Sequence, residues 1–223
     1  LRIYQTPDEL IDQELPIGKR ARLYPVINDA FNFFNDFLLE HDSLFQSEFF
    51  KNTKGHLLSY IVCRHFEPDM VSPNFPFYYY AEKVNNFGYK NGILKSGNVI
   101  INISRARQPN GLPNKSFHRL KKCAQNDFKS INLFFDVNHK NRLFLNNEPY
   151  CCFLTYEVVS DQLETVNLIV PDQKMNSVLK NIDLKSEYAF YEPEKEIIDV
   201  AEKEKKITAL KEEILAKVKF RDA

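Results

Sequence analysis

Residues 98–129 constrain this chain more than any other stretch. Val99, Ile101 and Ile103 alternate with Asn98, Asn102 and Ser104, the two-residue period of a half-buried strand, and Ser96-Gly97 just before them is a turn signal. Gln108 to Asn114 then carries Pro109, Pro113, Gly111, Asn110 and Asn114. Such a run interrupts both helix and ladder and requires a loop. Asn114 is positioned to cap a following helix, in which Phe117, Leu120 and Ala124 share one face. Lys115, Arg119 and Lys122 stand at i, i+4 and i+7 on another face, off the packed side, flanked by His118 and Lys121. The pattern predicts strand, loop and a helix that packs on one side and is cationic on the other.

That cationic side is the first candidate site. From Ser104 to Lys129 the bases are Arg105, Arg107, Lys115, Arg119, Lys121, Lys122 and Lys129, against Asp127 as the one acid. Phosphates respond to the local field, so this excess matters even in a chain whose 30 basic and 30 acidic residues cancel. The expected function is a nucleic-acid-binding or anion-binding protein that contacts phosphates through the basic loop and helix 104–129. The named contacts are Arg105, Arg107, Lys115, His118, Arg119 and Lys122. A solvated helix face is the competing reading of the same pattern.

With 223 residues, the chain exceeds the rough 150-residue domain. A single α+β domain over residues 1–192 with a C-terminal helical extension over 193–223 is the expected organisation. Nineteen Phe and eleven Tyr with no Trp point to a ring-rich interior. Cys63, Cys123, Cys151 and Cys152 lack C-x-x-C spacing and read as buried thiols of a reducing compartment. No apolar run approaches the roughly 18 residues of a membrane span, and the first residues lack the apolar core of a signal peptide. The expected compartment is cytoplasmic, with no membrane partner.

Along the chain, Pro7 and Pro16 discourage a long helix before residue 23, a stretch expected to wrap the surface. From Pro25 a core helix is predicted on Ile27, Ala30, Phe31, Phe34, Phe37 and Leu38. A second long helix follows Thr53, with Leu57, Leu58, Ile61, Val62 and His65 buried and His56, Tyr60 and Arg64 on a polar face. Phe77 to Ala81 is a strand of successive rings that either pack or stack bases beside the basic patch. After the basic helix, residues 131–137, 143–145, 150–159 and 165–170 suggest an antiparallel meander, and Met175, Val178, Leu179 and Ile182 a short helix. In the terminal segment, Val200, Ile207, Leu210, Ile214 and Val218 form a narrow stripe. It is expected to dock on its own chain rather than on a second copy, so a monomer is favoured over a homodimer.

Signatures of nucleotide hydrolysis, zincin or serine-hydrolase chemistry are absent from the sequence. One acidic constellation offers an enzyme alternative, a metal-dependent nuclease of restriction-endonuclease-like type. It would hold Mg²⁺ on Glu67, Asp69 and Asp172 with Lys174 steadying the nucleophile, and outside that alternative no cofactor is expected. A third reading is a protein-interaction module, an inhibitor or assembly factor, acting through the C-terminal helix.

Three pieces carry a family resemblance: Asn98 to Arg105, Arg119 with Asn126, and Phe153 to Tyr156 followed by Val166 to Asp172. Over roughly residues 55–185 the chain resembles uncharacterised domains of low-GC Gram-positive bacteria and their prophages. That resemblance implies a cytoplasmic, mobile-element or phage-conflict setting and no activity. The fold class expected overall is α+β, with N-terminal helices packed on a largely antiparallel sheet of about six to eight strands and a charged C-terminal helix.

Overall fold

The computed structural model describes residues 4–46, 53–84, 90–108, 111–128, 149–191 and 200–219. Two short helices open the chain, α1 (Pro7–Glu14) and α2 (Ile17–Arg20). Thr6 Oγ1 accepts the Glu9 N–H at 3.1 Å, and Pro7 occupies the first helical position, where it forfeits no bond. The α3 helix (Leu23–Glu40) buries Ile27, Ala30, Phe31, Phe34 and Phe37 as its pattern predicts, and Phe33 as well. Then come α4 (Asp42–Phe45), α5 (Lys54–His65), α6 (Phe117–Cys123), α7 (Leu184–Phe190) and α8 (Val200–Lys219).

Six strands form one sheet in sequence order: β1 (Tyr78–Lys83), β2 (Lys90–Ser96), β3 (Val99–Arg105), β4 (Tyr150–Val159), β5 (Gln162–Pro171) and β6 (Val178–Asp183). All neighbours are antiparallel except β3 and β4, which run parallel. The α+β class is therefore as expected. Gly97, at φ +54°, makes the tight β2–β3 turn, and a Cβ there would strike the Glu14 carboxylate. Ser160 and Asp161, both left-handed, close the β4–β5 hairpin in the turn whose twist matches its strands.

Several expectations are corrected. Strand β3 is buried at every position from Val99 to Ser104, not on one face alone, because a parallel pair at the centre of a sheet is covered on both sides. Residues 178–183 are a strand rather than a helix. Positions 178, 180 and 182 also satisfy a two-residue period, and pairing of Ile182 with Leu168 and of Lys180 with Val170 decides between the two. Parallel pairing also forbids a hairpin between β3 and β4, so the connection is a crossover, of which the basic loop and helix are the described part. The expected strands at 131–137 and 143–145 lie outside the described residues, as do the side chains of Val200 and Val218.

The chain divides into two compact units. One comprises Leu1–Tyr24 and Pro76–Glu192 and holds the sheet; the other comprises Pro25–Phe75 and Pro193–Ala223 and is helical. The helical unit thus joins residues 25–75 to the C-terminal segment that the sequence reading set apart. Within it, Leu210 and Ile214 of α8 are buried. Lys203 pairs with Asp29 at 2.7 Å and Lys211 with Glu40 at 2.6 Å, both on α3. Tyr60 of α5 donates to Glu213 at 2.6 Å and accepts from Lys217 at 2.7 Å. Among the described residues, no helix is long and apolar enough to cross a membrane.

Candidate nucleic-acid interface

The crossover is anchored in three steps. Leaving β3, the backbone N–H groups of Arg107 and Gln108 donate to Leu112 O, and Gly111, at φ +79°, donates to Gln108 O. Leu112 is thereby driven into a core cluster on one face of the sheet, with Ile93, Ile100, Cys151, Phe153 and Ile169. Next, Ser116, rather than the expected Asn114, caps α6 by accepting the Arg119 N–H at 3.3 Å. Finally, buried Asn126 donates to Cys151 O at 2.7 Å and to Pro171 O at 2.9 Å and accepts the Cys151 N–H at 3.0 Å, pinning the exit of α6 to β4 and β5. These bonds fix how α6 rolls. Leu120 and Cys123 face the cluster, whereas Phe117, expected on the packed face, is 85 % exposed. Phe117 and Cys123 are too far around a seven-residue helix for both to face the sheet, and Cys123 continues into the Asn126 anchor.

The face of the sheet beneath α6 turns polar toward the carboxyl ends of β3 and β4. Strand register places Glu82 opposite Asn91, Ser104 opposite Thr155, Thr155 opposite Asn167, and Asn167 opposite Asp183. Residues in register across a sheet share a face, so a polar row crosses the strands here. Asn91 Nδ2 donates to Asn102 Oδ1 at 3.4 Å, and Asn102 Nδ2 to Cys151 Sγ at 3.1 Å. Thr155 is 1 % exposed and, among the described residues, its hydroxyl has no hydrogen-bond partner.

The six sequence candidates separate over this frame. Lys122 Nζ lies 2.6 Å and His118 Nε2 3.4 Å from Glu82 Oε2 on β1. Lys122 pairs its charge with Glu82 without a well-directed hydrogen bond, since among the described residues Glu82 Oε2 has none. Burial pushes the His118 imidazole below its usual pKa despite the Glu82 carboxylate. Arg119 donates to Asn114 O at 2.7 Å and to Ser104 Oγ at 3.2 Å, which makes it a strut between helix and polar row. The expectation that Arg119 and Lys122 stand clear of the packed side is thus corrected: both long side chains fold back to fixed partners. Half-buried Arg105 reaches Val158 O at 3.4 Å, and exposed Lys115 reaches Asn176 Oδ1. Arg107 and Lys121 are exposed and, among the described residues, carry no ion pair. Lys121 was named in the basic segment but not as a contact. Its signal was the i, i+4 step from Phe117, which places both on one side of the helix.

The acidic candidates are divided between the two units. Glu67 and Asp69 lie in the helical unit and Asp172 and Lys174 in the sheet unit. Arg64 holds Asp69 at 2.6 Å and Glu67 at 3.2 Å. Its guanidinium keeps the Asp69 carboxyl below its ordinary pKa, while burial raises that of Glu67. Asp172 accepts the Asn176 and Ser177 N–H groups at 2.6 and 3.0 Å and so fastens the turn into β6, beside exposed Lys174. No group of three or more His, Cys, Asp or Glu residues able to hold a metal occurs among the described residues. Cys123, Cys151 and Cys152 are buried, and burial raises the Cys151 and Cys152 thiols. Comparison of the chain with family models, with curated proteins and with solved structures returns no match.

Proposed function

We propose that this protein binds nucleic acid along the open side of the β3–β4 crossover. Arg107 and Lys121 are its free phosphate contacts, and Arg105, Lys115 and Arg119 add to the local field from fixed positions. One observation carries the reading. Glu82 neutralises Lys122 on the sheet side of α6, yet Arg107 and Lys121 stay open without an ion pair among the described residues. A merely solvated helix needs no such fixed framework, whereas a phosphate-contacting surface gains from cations held at set places. The mobile-element or phage-conflict setting rests on the sequence resemblance alone.

The test is fluorescence anisotropy with short labelled oligonucleotides over a salt series. Arg107→Glu and Lys121→Glu remove charge without breaking an internal bond. Each is expected to weaken binding about tenfold or more at low salt and to flatten the salt slope by about one. Absence of binding by the parent protein at low salt, or binding indifferent to salt, overturns the reading. Arg119→Glu and Lys122→Glu are poorer probes, because both strip a partner from a half-buried group.

A further inference from the structure

Phe117 sits among cations and stands 85 % exposed. Isolated exposed rings are ordinary on protein surfaces, but this one has a particular setting. It lies at the start of α6, and Lys121, one turn on, is exposed on the same side. Lys115 precedes it by two residues and Arg119 follows by two. On the same face of the sheet as α6, edge strand β1 presents a second open ring. Tyr78, 68 % exposed, lies 6.0 Å from Tyr80 in a stacked arrangement, and Tyr80 packs against the core cluster that also receives Leu120. The packing that fixes α6 turns Leu120 and Cys123 to the core cluster and leaves Phe117 outside it.

We infer that the nucleic acid bound here is single-stranded, its bases stacking on Phe117 while Lys121 and its neighbours hold the backbone. The inference rests on the nucleic-acid reading above and adds the substrate class to it. In a duplex the base faces are already stacked on one another, so a ring reaches one only by wedging between base steps at an unstacking cost of about a few kcal/mol. An unpaired strand offers every base face, and a ring flanked by cations engages base and phosphate together. Such stacking is tolerant of sequence, since all bases present a π-face.

The chain contains no Trp, so Phe117→Trp installs a single tryptophan at the proposed contact, excited selectively at wavelengths where the tyrosines do not absorb. Titration with single-stranded oligothymidine is expected to quench it, and a duplex of equal length to bind more weakly and quench less. Phe117→Ala should weaken single-strand binding by about five- to a hundredfold, the range of base–aromatic stacking, whereas Phe117→Tyr retains most of the affinity. Circular dichroism of the Ala variant is expected to match the parent, because the ring is outside the core. If Lys121→Glu abolishes binding while Phe117→Ala leaves it unchanged and duplex binds as tightly, the nucleic-acid reading stands and the single-strand inference is overturned. If no oligonucleotide binds the parent protein, both fall.

Discussion

Replacing Thr155 by valine should make this protein more stable, and the reason is local. The hydroxyl lies in the middle of β4, 1 % exposed, and among the described residues has no hydrogen-bond partner. Its neighbours in register are Ser104, which accepts from Arg119, and Asn167 on β5. In the unfolded chain water satisfies that hydroxyl, so folding strips it without replacement at a cost of about 1–3 kcal/mol. Valine has the same branching and nearly the same shape, so the exchange opens no cavity and forces no rotamer, and its strand preference is at least as good. A gain of about 1–2 kcal/mol is expected, or a rise of about 2–8 °C in melting temperature for a chain of this size. Urea unfolding followed by circular dichroism measures it. Asn126→Ala, two strands' width of chemistry away in kind, supplies the contrast. That side chain makes three buried bonds at 2.7, 2.9 and 3.0 Å, and its loss leaves their backbone partners unsatisfied, for a cost of at least about 3 kcal/mol at 1 kcal/mol or more each. A Thr155→Val protein destabilised by more than about 1 kcal/mol would show that the hydroxyl is satisfied in solution and refute the reasoning.

Two further outcomes test the helical unit. His65 is buried on α5 with Nδ1 2.8 Å from Ile61 O and its ring 5.5 Å from Phe33, and burial lowers its pKa from 6.5. The unfolded chain therefore binds the proton first, so this contribution to stability is complete above pH 6.5 and is lost as pH falls from there through the lower folded value. Urea midpoints measured at pH 7.5 and 5.5 should differ accordingly, and His65→Leu should flatten the slope to what half-buried His118 retains; an unchanged slope counts against the assignment. Leu210→Ala, on the buried stripe of α8, should cost about 2–5 kcal/mol, while Lys205→Ala on the exposed side of the same helix stays within about 0.5 kcal/mol. Equal effects of the two would mean that the stripe is not packed in solution.

Local sequence determined the elements whose period admits one answer. The phenylalanines of α3 recur every three to four residues, and no strand register would bury them together. Alternation marked β3, and Pro109, Gly111 and Pro113 dictated a break after it, because a residue without an amide hydrogen and one without a Cβ interrupt both regular ladders. The stripe of α8 likewise required a cover. What lay beyond the sequence was the choice among partners of similar local merit. Positions 175–182 fit helix and strand alike until β5 supplied a pairing edge. The burial of β3 on both faces follows from a parallel partner that begins 45 residues after β3 ends, at Tyr150 after Arg105. The roll of α6, which decides whether Phe117 or Cys123 meets the core and which cations stay open, depends on Asn126 finding Cys151 and Pro171. Charge pattern located the basic segment, but only tertiary structure could bring Glu82 of β1 to Lys122 of α6 and leave Arg107 and Lys121 exposed, because pairing of long side chains is set by spatial neighbours rather than by spacing along the chain.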